Sequence, residues 1–434
     1  MLVDSLRRMD RYVGIPLCWT FSLARQFHSF VSAKKTLPKP HKVLVIKLSE
    51  MGSSVLAYPA LAELRNGSEK IELYFLVLAK NAAILEALKL APAEHLVTVD
   101  YQTPWTLLRS GFKAMRRLLR ERFDTVIDMD FFSRLTALIG FLVCRGNRVG
   151  FHRYNDEGLY RGDLLTHRVL YSPHVHTSAA FVALVRSLFE EAGDEPHYRG
   201  RVSMDDLAVP LHQPEVGDLQ SVRQKLLLAG VDLRNSALLL INPNSSDIFP
   251  LRKWPLNYYA RLCSQLLVKI PQCALVITGL RSEKADAEYI RAQVQSPRCI
   301  DFTGQVNFRE LLALYSLASL MVTNDSGPAH FASLLRLPTV VLFGPETPRL
   351  YSPIGNHHKD LYSNFACSPC VSVYNGKKSP CQESRCLMAI TPDAVCQEVL
   401  ACLRDKAATN GRSDAESFVP DEIKTDRKTE AVAT

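Results

Sequence analysis

From residue 42 onward, short aliphatic runs alternate with longer stretches of amphipathic spacing. Residues 42–46, 71–78, 95–99 and 125–128 read as strands. Between them, residues 55–64, 82–90 and 106–122 read as helices, the first with Pro59 near its opening turn. Strand–helix alternation with short links predicts an α/β fold with a parallel, doubly wound sheet. A polar stretch over 191–217 interrupts the pattern, which then resumes. Residues 237–241 and 274–278 read as strands, and 256–268, 283–295 and 309–317 as helices. Two more strands, 320–322 and 339–343, close the series. The pattern predicts a first domain over 42–215 and a second over 216–404, preceded by a segment over 1–41. The charged, apolar-poor stretch 405–434 reads as a disordered tail.

The segment before residue 42 pairs Arg7, Arg8 and Arg11 with an apolar run over 12–24, leading into a Lys/Pro linker over 34–41. That outline fits a signal peptide, but Asp4 and Asp10 lie among the basic residues and Gly14-Ile15-Pro16 interrupts the run. The preferred expectation is a basic amphipathic segment resting on the inner face of a membrane. No apolar run reaches the ~20 residues of a spanning helix. A net charge of +8 over 434 residues is too modest for a dedicated nucleic-acid binder. It suits an enzyme of anionic substrates.

Chemistry concentrates between Val322 and Pro345. A strand runs into the polar turn Asn324-Asp325-Ser326-Gly327, a helix carrying His330 follows, and the next strand ends at Gly344-Pro345. In an open parallel sheet such turns face the ligand crevice, and backbone amides at a helix start attract anions. This predicts a phosphate-bearing, nucleotide-linked ligand. Asn244, Ser245 and Ser246 follow an earlier strand, and the pair Arg252-Lys253 stands just before Trp254-Pro255. Both groups are placed to complement phosphate.

Four ordered segments resemble glycosyltransferase family 9, the ADP-heptose:lipopolysaccharide heptosyltransferases. They are Ile46-Lys47-Leu48-Ser49-Glu50-Met51-Gly52 through Pro59-Ala60-Leu61; Ile241-Asn242-Pro243 with Arg252-Lys253-Trp254-Pro255; Phe302-Thr303-Gly304 with Arg309-Glu310-Leu311; and Asn324 to His330 through Phe343-Gly344-Pro345. Phe123-Asp124 with Ile127-Asp128, and Arg148-Val149-Gly150-Phe151, are smaller echoes. The resemblance implies a GT-B fold, two Rossmann-like domains facing across a cleft. The second domain would hold an ADP-sugar and the first a lipid-linked saccharide. It implies Arg252 where relatives carry lysine, Glu283 on the ribose hydroxyls, and Arg148 among the basic residues of the acceptor side. The enzyme would be cytoplasmic, peripheral on the inner face of a bacterial inner membrane.

Transfer requires a base for the acceptor hydroxyl. Heptosyltransferases carry aspartate directly after the Met-Gly of the first motif, where this chain has Ser53. Glu50 is the first replacement, with Asp128 or Asp130 as alternatives, or activity is lost and a nucleotide-binding protein remains. Another sugar nucleotide, or a sugar-nucleotide epimerase of the same fold, is also compatible with these residues. No Asp-x-Asp pair flanks the donor motifs, so no cofactor or catalytic metal is expected. Cys367, Cys370, Cys381 and Cys386 leave structural zinc, free thiols and disulfides open, the second pair being looser than usual zinc spacing.

Overall fold

The computed structural model describes residues 2–31, 37–67, 71–153, 159–190, 200–245 and 249–409. The chain forms two compact units, Met1–Pro210 with Val371–Lys378, and Leu211–Cys370 with Ser379–Thr434. The return of Val371–Lys378 to the first unit is not anticipated by a single division at 215/216.

The first unit holds β1 (Lys42–Lys47), β2 (Glu72–Leu78), β3 (Leu96–Val99), β4 (Phe123–Asp128), β5 (Cys144–His152) and β6 (His167–Leu170), in the order β3-β2-β1-β4-β5-β6. The second holds β7 (Ala237–Asn242), β8 (Cys273–Ile277), β9 (Cys299–Asp301), β10 (Leu320–Asn324), β11 (Thr339–Phe343) and β12 (His358–Tyr362), in the order β12-β11-β10-β7-β8-β9. Every strand pairing is parallel. Counted within each unit, the two orders are the same doubly wound arrangement. The winding reverses between β1 and β4 and again between β7 and β10, where such sheets open a crevice.

The central strands β8, β10 and β11 are buried at every position, as parallel strands covered on both faces must be. Leu239, Ile241, Leu275, Val322 and Leu342 meet Tyr259, Leu262 and Leu266 of the helix Leu256–Lys269. Val395 and Val399 join them from the helix Pro392–Thr409. Each such side chain contributes about 1.5–3 kcal/mol of transfer free energy. The helix Pro392–Thr409 runs past residue 404, into the segment expected to be a tail; residues 410–434 lie outside the described residues.

The segment before β1 folds as two helices, Leu2–Tyr12 and Gly14–Val31. Asp10 Oδ1 accepts the backbone N–H groups of Arg134 and Leu135 at 3.0 Å each, and Oδ2 the Arg134 guanidinium at 3.1 Å. The aspartate therefore caps the helix Arg134–Val143 from outside. Cys18 packs with Ala137, Leu138 and Leu164, while Ser22 Oγ accepts the Asp163 N–H at 2.7 Å. No described helix is long and apolar enough to cross a membrane.

Gly162 lies where this second helix crosses the loop before β6. Its φ is +70°, and a Cβ there would stand 2.6 Å from Ser22 Oγ and 2.7 Å from the Cys18 carbonyl. Gly162→Ala is expected to cost about 1–3 kcal/mol. Amide hydrogen exchange should accelerate in Gly14–Val31 while the second unit's strands stay protected; unchanged exchange in that helix would refute the packing role.

Candidate functional site

In the second unit, the loops after β7 and β10 diverge at the winding reversal, and polar residues gather on both. Asn324 is fully buried at the end of β10. Its Oδ1 accepts from the Trp254 N–H at 3.1 Å and the Tyr259 hydroxyl at 3.0 Å. Its Nδ2 donates to the carbonyls of Pro243 at 2.9 Å and Asn244 at 3.2 Å. The amide's capacity is thus spent within the protein. Expected as a ligand contact, Asn324 instead fastens the loop 243–254 to β10.

That fastening places Arg252 beside Asp325, with Nη1 and Oδ2 3.7 Å apart and each residue 3% exposed. The guanidinium also stacks over Phe249, 5.0 Å from the ring centre. Lys253 pairs with Asp286 on the helix Lys284–Val294. Ser326 opens the helix Gly327–Ser333 and donates to the Asn324 carbonyl at 3.2 Å; His330 is buried on that helix. The helix has only seven residues, so attraction for an anion rests on Arg252 and Lys253 more than on a helix dipole.

Asn244 Nδ2 donates to the Thr278 carbonyl at 3.1 Å, at the end of β8. A Cβ on Gly279 would strike that amide and come within 2.8 Å of Glu283 Oε2. The bare glycine therefore brings Asn244 and Glu283 together. Glu283 Oε2 accepts the Leu280 N–H at 2.6 Å, closing its own turn. Ser245 Oγ donates to the Phe249 carbonyl at 3.3 Å; Ser246 lies outside the described residues. Glu346 was not singled out from sequence, yet it is 2% exposed just past Gly344-Pro345. A carboxylate two residues beyond a glycine that ends a buried strand is the signal that would have found it.

The first unit repeats the arrangement with different groups. Asp130, after β4, accepts the N–H groups of Leu48 at 2.8 Å and Ser49 at 3.1 Å, and its Oδ1 is 3.5 Å from Lys47 Nζ. Burial draws the Lys47 ammonium below the usual lysine range, with Asp130 and Glu50 opposing. Asp128 is held by Arg161 and by the Thr136 hydroxyl at 2.7 Å; burial, the largest influence, raises its carboxyl. Both alternative bases are therefore committed to internal partners. Glu50 stands just before the helix Met51–Asn66, partly exposed, with Lys377 Nζ 4.0 Å away. The Ser53 hydroxyl donates to the Glu50 carbonyl at 2.6 Å.

One expectation is corrected. Arg148 points inward, its guanidinium on the carbonyls of Leu164 at 2.6 Å, Cys144 at 3.1 Å and Gly146 at 3.2 Å. Burial lowers its pKa to about 10. It fastens β5 to the loop before β6 rather than meeting a substrate. Of the states left open for Cys367, Cys370, Cys381 and Cys386, none of the four is in a disulfide, and among the described residues no group of three His, Cys, Asp or Glu side chains could hold a metal. Cys381 Sγ donates to the Glu383 carbonyl at 2.7 Å, and Cys386 is buried.

The model of glycosyltransferase family 9 (heptosyltransferase) matches residues 112–379. Lipooligosaccharide heptosyltransferase 2 of Haemophilus ducreyi is 28% identical over 209 residues, 46% of this chain and 58% of that protein. The chain thus spans less than two thirds of that relative. Lipopolysaccharide heptosyltransferase 1 of Pseudomonas aeruginosa is 24% identical over 351 residues, 76% of this chain and 86% of that protein. Among solved structures, E. coli ADP-heptose lps heptosyltransferase II superposes with a TM-score of 0.63 at 19% identity, covering 84% of this chain and 99% of that one. A glycosyl transferase of family 9 from Veillonella parvula gives 0.67 at 17% identity, covering 86% and 100%. These likenesses establish the fold.

Asn324→Ala removes four hydrogen bonds and leaves buried carbonyl and N–H groups unmatched, so it should cost about 2–4 kcal/mol in denaturant unfolding. Asn324→Asp should not restore stability, because a carboxylate has no N–H for the two carbonyls. Rescue by aspartate would disprove the fastening role.

Proposed function

Because this chain belongs to glycosyltransferase family 9, we propose that it transfers a heptose from ADP-heptose to a lipid-linked saccharide of the lipopolysaccharide core, at the inner face of a bacterial membrane. The observation that carries the reading is the buried Arg252–Asp325 pair at the β7/β10 reversal. Burying two opposite charges side by side often costs more in desolvation than their attraction returns, and this pair stands where a doubly wound sheet meets its ligand. The planar fork of Arg252 suits a diphosphate.

The residues divide the work as follows. Arg252 and Lys253 meet the diphosphate, with Ser326 and the neighbouring backbone shaping its approach. As the bond from the anomeric carbon to phosphate breaks, these cations hold the charge gathering on ADP. Glu283 and Asn244, side by side at Gly279, take the ribose hydroxyls. Glu50 accepts the proton of the acceptor hydroxyl while the new bond from oxygen to anomeric carbon forms with inversion. Arg252 stays protonated throughout and serves as a fixed charge. The reaction requires no added cation.

A second reading is favoured by Ser53, whose hydroxyl is engaged with the Glu50 carbonyl where relatives carry an aspartate. In it the chain binds nucleotide without transferring sugar. Incubation of the full chain with ADP-heptose and a core acceptor, followed by mass spectrometry, separates the two. Transfer adds one heptose to the acceptor and releases ADP, and should be insensitive to EDTA. ADP binding in calorimetry with neither transfer nor donor hydrolysis would establish the second reading.

Given transfer, Glu50→Gln should lower kcat about 10²–10⁴-fold with little change in donor KM. Arg252→Ala should weaken ADP binding and lower kcat about 10²–10³-fold. A Glu50→Gln enzyme of normal rate would remove the base assignment and leave the donor site standing.

A further inference from the structure

The helix Pro104–Glu121 carries a feature that neither the donor site nor the base explains. Its inward side is narrow: only Ala114 and Leu118 are buried. On its outer side Trp105 is 71% exposed, Leu108 65%, Phe112 73% and Leu119 51%. At about 3.6 residues per turn these four fall on one stripe. A stripe of exposed Arg109, Lys113, Arg116 and Arg120 runs directly beside it. The helix's one acidic residue, Glu121, sits at its last position and is paired with Lys42 at 2.6 Å. Two large aromatic rings and two leucines left in water, flanked only by cations, make poor sense as a solvated face.

We propose that this helix is an interfacial membrane anchor that lies in the plane of an anionic leaflet. The apolar stripe would seat among the acyl chains and the four cations among the phosphates. The charge pattern selects this occupant: cations flanking bulky apolar residues match the headgroup boundary of an anionic bilayer. The helix lies against Arg134–Val143, which also carries the N-terminal helices. The second of these, Gly14–Val31, adds another set of outward apolar residues, Trp19, Leu23 and Phe27. The inference deepens the proposed function by naming the surface that holds the enzyme at its lipid-linked acceptor, and it rests on that reading for its purpose. Vesicle binding needs neither donor nor acceptor, so a failed anchor and a failed transferase are told apart.

The test is co-sedimentation of the full chain with vesicles of phosphatidylglycerol and phosphatidylcholine, and with phosphatidylcholine alone. The wild type should bind the anionic vesicles and release them as salt rises. Trp105→Ser with Leu108→Ser and Phe112→Ser should weaken binding at least about 10-fold. Reversal of the four cations to glutamate should do the same. Leu227→Ser with Leu228→Ser, exposed positions of the second unit, should leave binding unchanged. A readout that keeps the helix intact uses Trp19→Phe: the remaining surface tryptophan, Trp105, should shift its emission to the blue on vesicle addition, since Trp254 is already buried. Equal binding by the triple serine variant, equal binding to phosphatidylcholine alone, or unshifted Trp105 emission would each overturn the proposal. So would a wild-type oligomer that the triple variant splits in sedimentation velocity while vesicle binding persists, since the stripe would then join two copies of this chain.

Discussion

The arrangement of the second unit's candidate site depends on one amide. Where a doubly wound sheet reverses its winding, adjacent strands send their loops in opposite directions and leave backbone groups without neighbours. Asn324 closes that gap because carboxamide alone among short side chains both accepts twice and donates twice. Its two carbonyl partners, Pro243 and Asn244, and its N–H partner, Trp254, bracket the loop that carries Arg252. The register of β10 on β7, with Thr323 opposite Asn242, sets the height at which the amide arrives. A one-residue slip would turn it into the other face of the sheet.

The first unit meets the same topological problem with an acceptor-only group. Asp130 takes two backbone N–H groups from the loop after β1 and keeps Lys47 as a buried neighbour. The difference has consequences. An amide leaves its crevice neutral, so the charge there is whatever the loops bring, Arg252 with Asp325. A carboxylate brings charge of its own and forces a cation to follow it inside. Lys47 is depressed by that burial, while Asp130 and Glu50 pull it back. The chain thus tolerates costly buried ions at the carboxyl ends of its strands and builds the strands themselves mainly from aliphatic residues.

Strands that are apolar but for their ends are legible because burial on both faces leaves little other composition: β1, β2, β7, β8 and β11 stand within a residue or so of where the pattern puts them. β5 is not, since Arg145, Asn147 and Arg148 interrupt it. Asn147 and Arg148 are nevertheless buried, their polar groups matched to carbonyls and to Thr125. Nothing in a linear pattern distinguishes such a strand from a loop. β9 has three residues and β12 is a polar edge. At the candidate site, motif and spacing pointed to the residues but not to what each one holds. Asn324 and Arg148 look like ligand contacts from sequence because both are polar residues in family-like motifs. Only their partners show that they hold backbone. Glu346 escaped for the opposite reason, lying just outside the motif that drew attention.

The N-terminal run over 12–24 shows why composition alone left its reading open. A hydrophobic stretch of that length has the same average whether it is a leader, an anchor or part of a core, and what separates them is which residues face which way. Cys18 and Ser22, four apart, turn inward against Ala137 and the Asp163 amide; Trp19, Leu23 and Phe27, also four apart, turn outward. The inward pair fixes the helix to the unit through groups with directional needs, a thiol in a tight gap and a hydroxyl in a hydrogen bond. The outward set has no such needs and is bulky and apolar. Asp10, the residue that argues most strongly against a leader by charge, is the one that caps another helix. Its charge is a structural requirement of Arg134–Val143, whose first N–H groups it accepts.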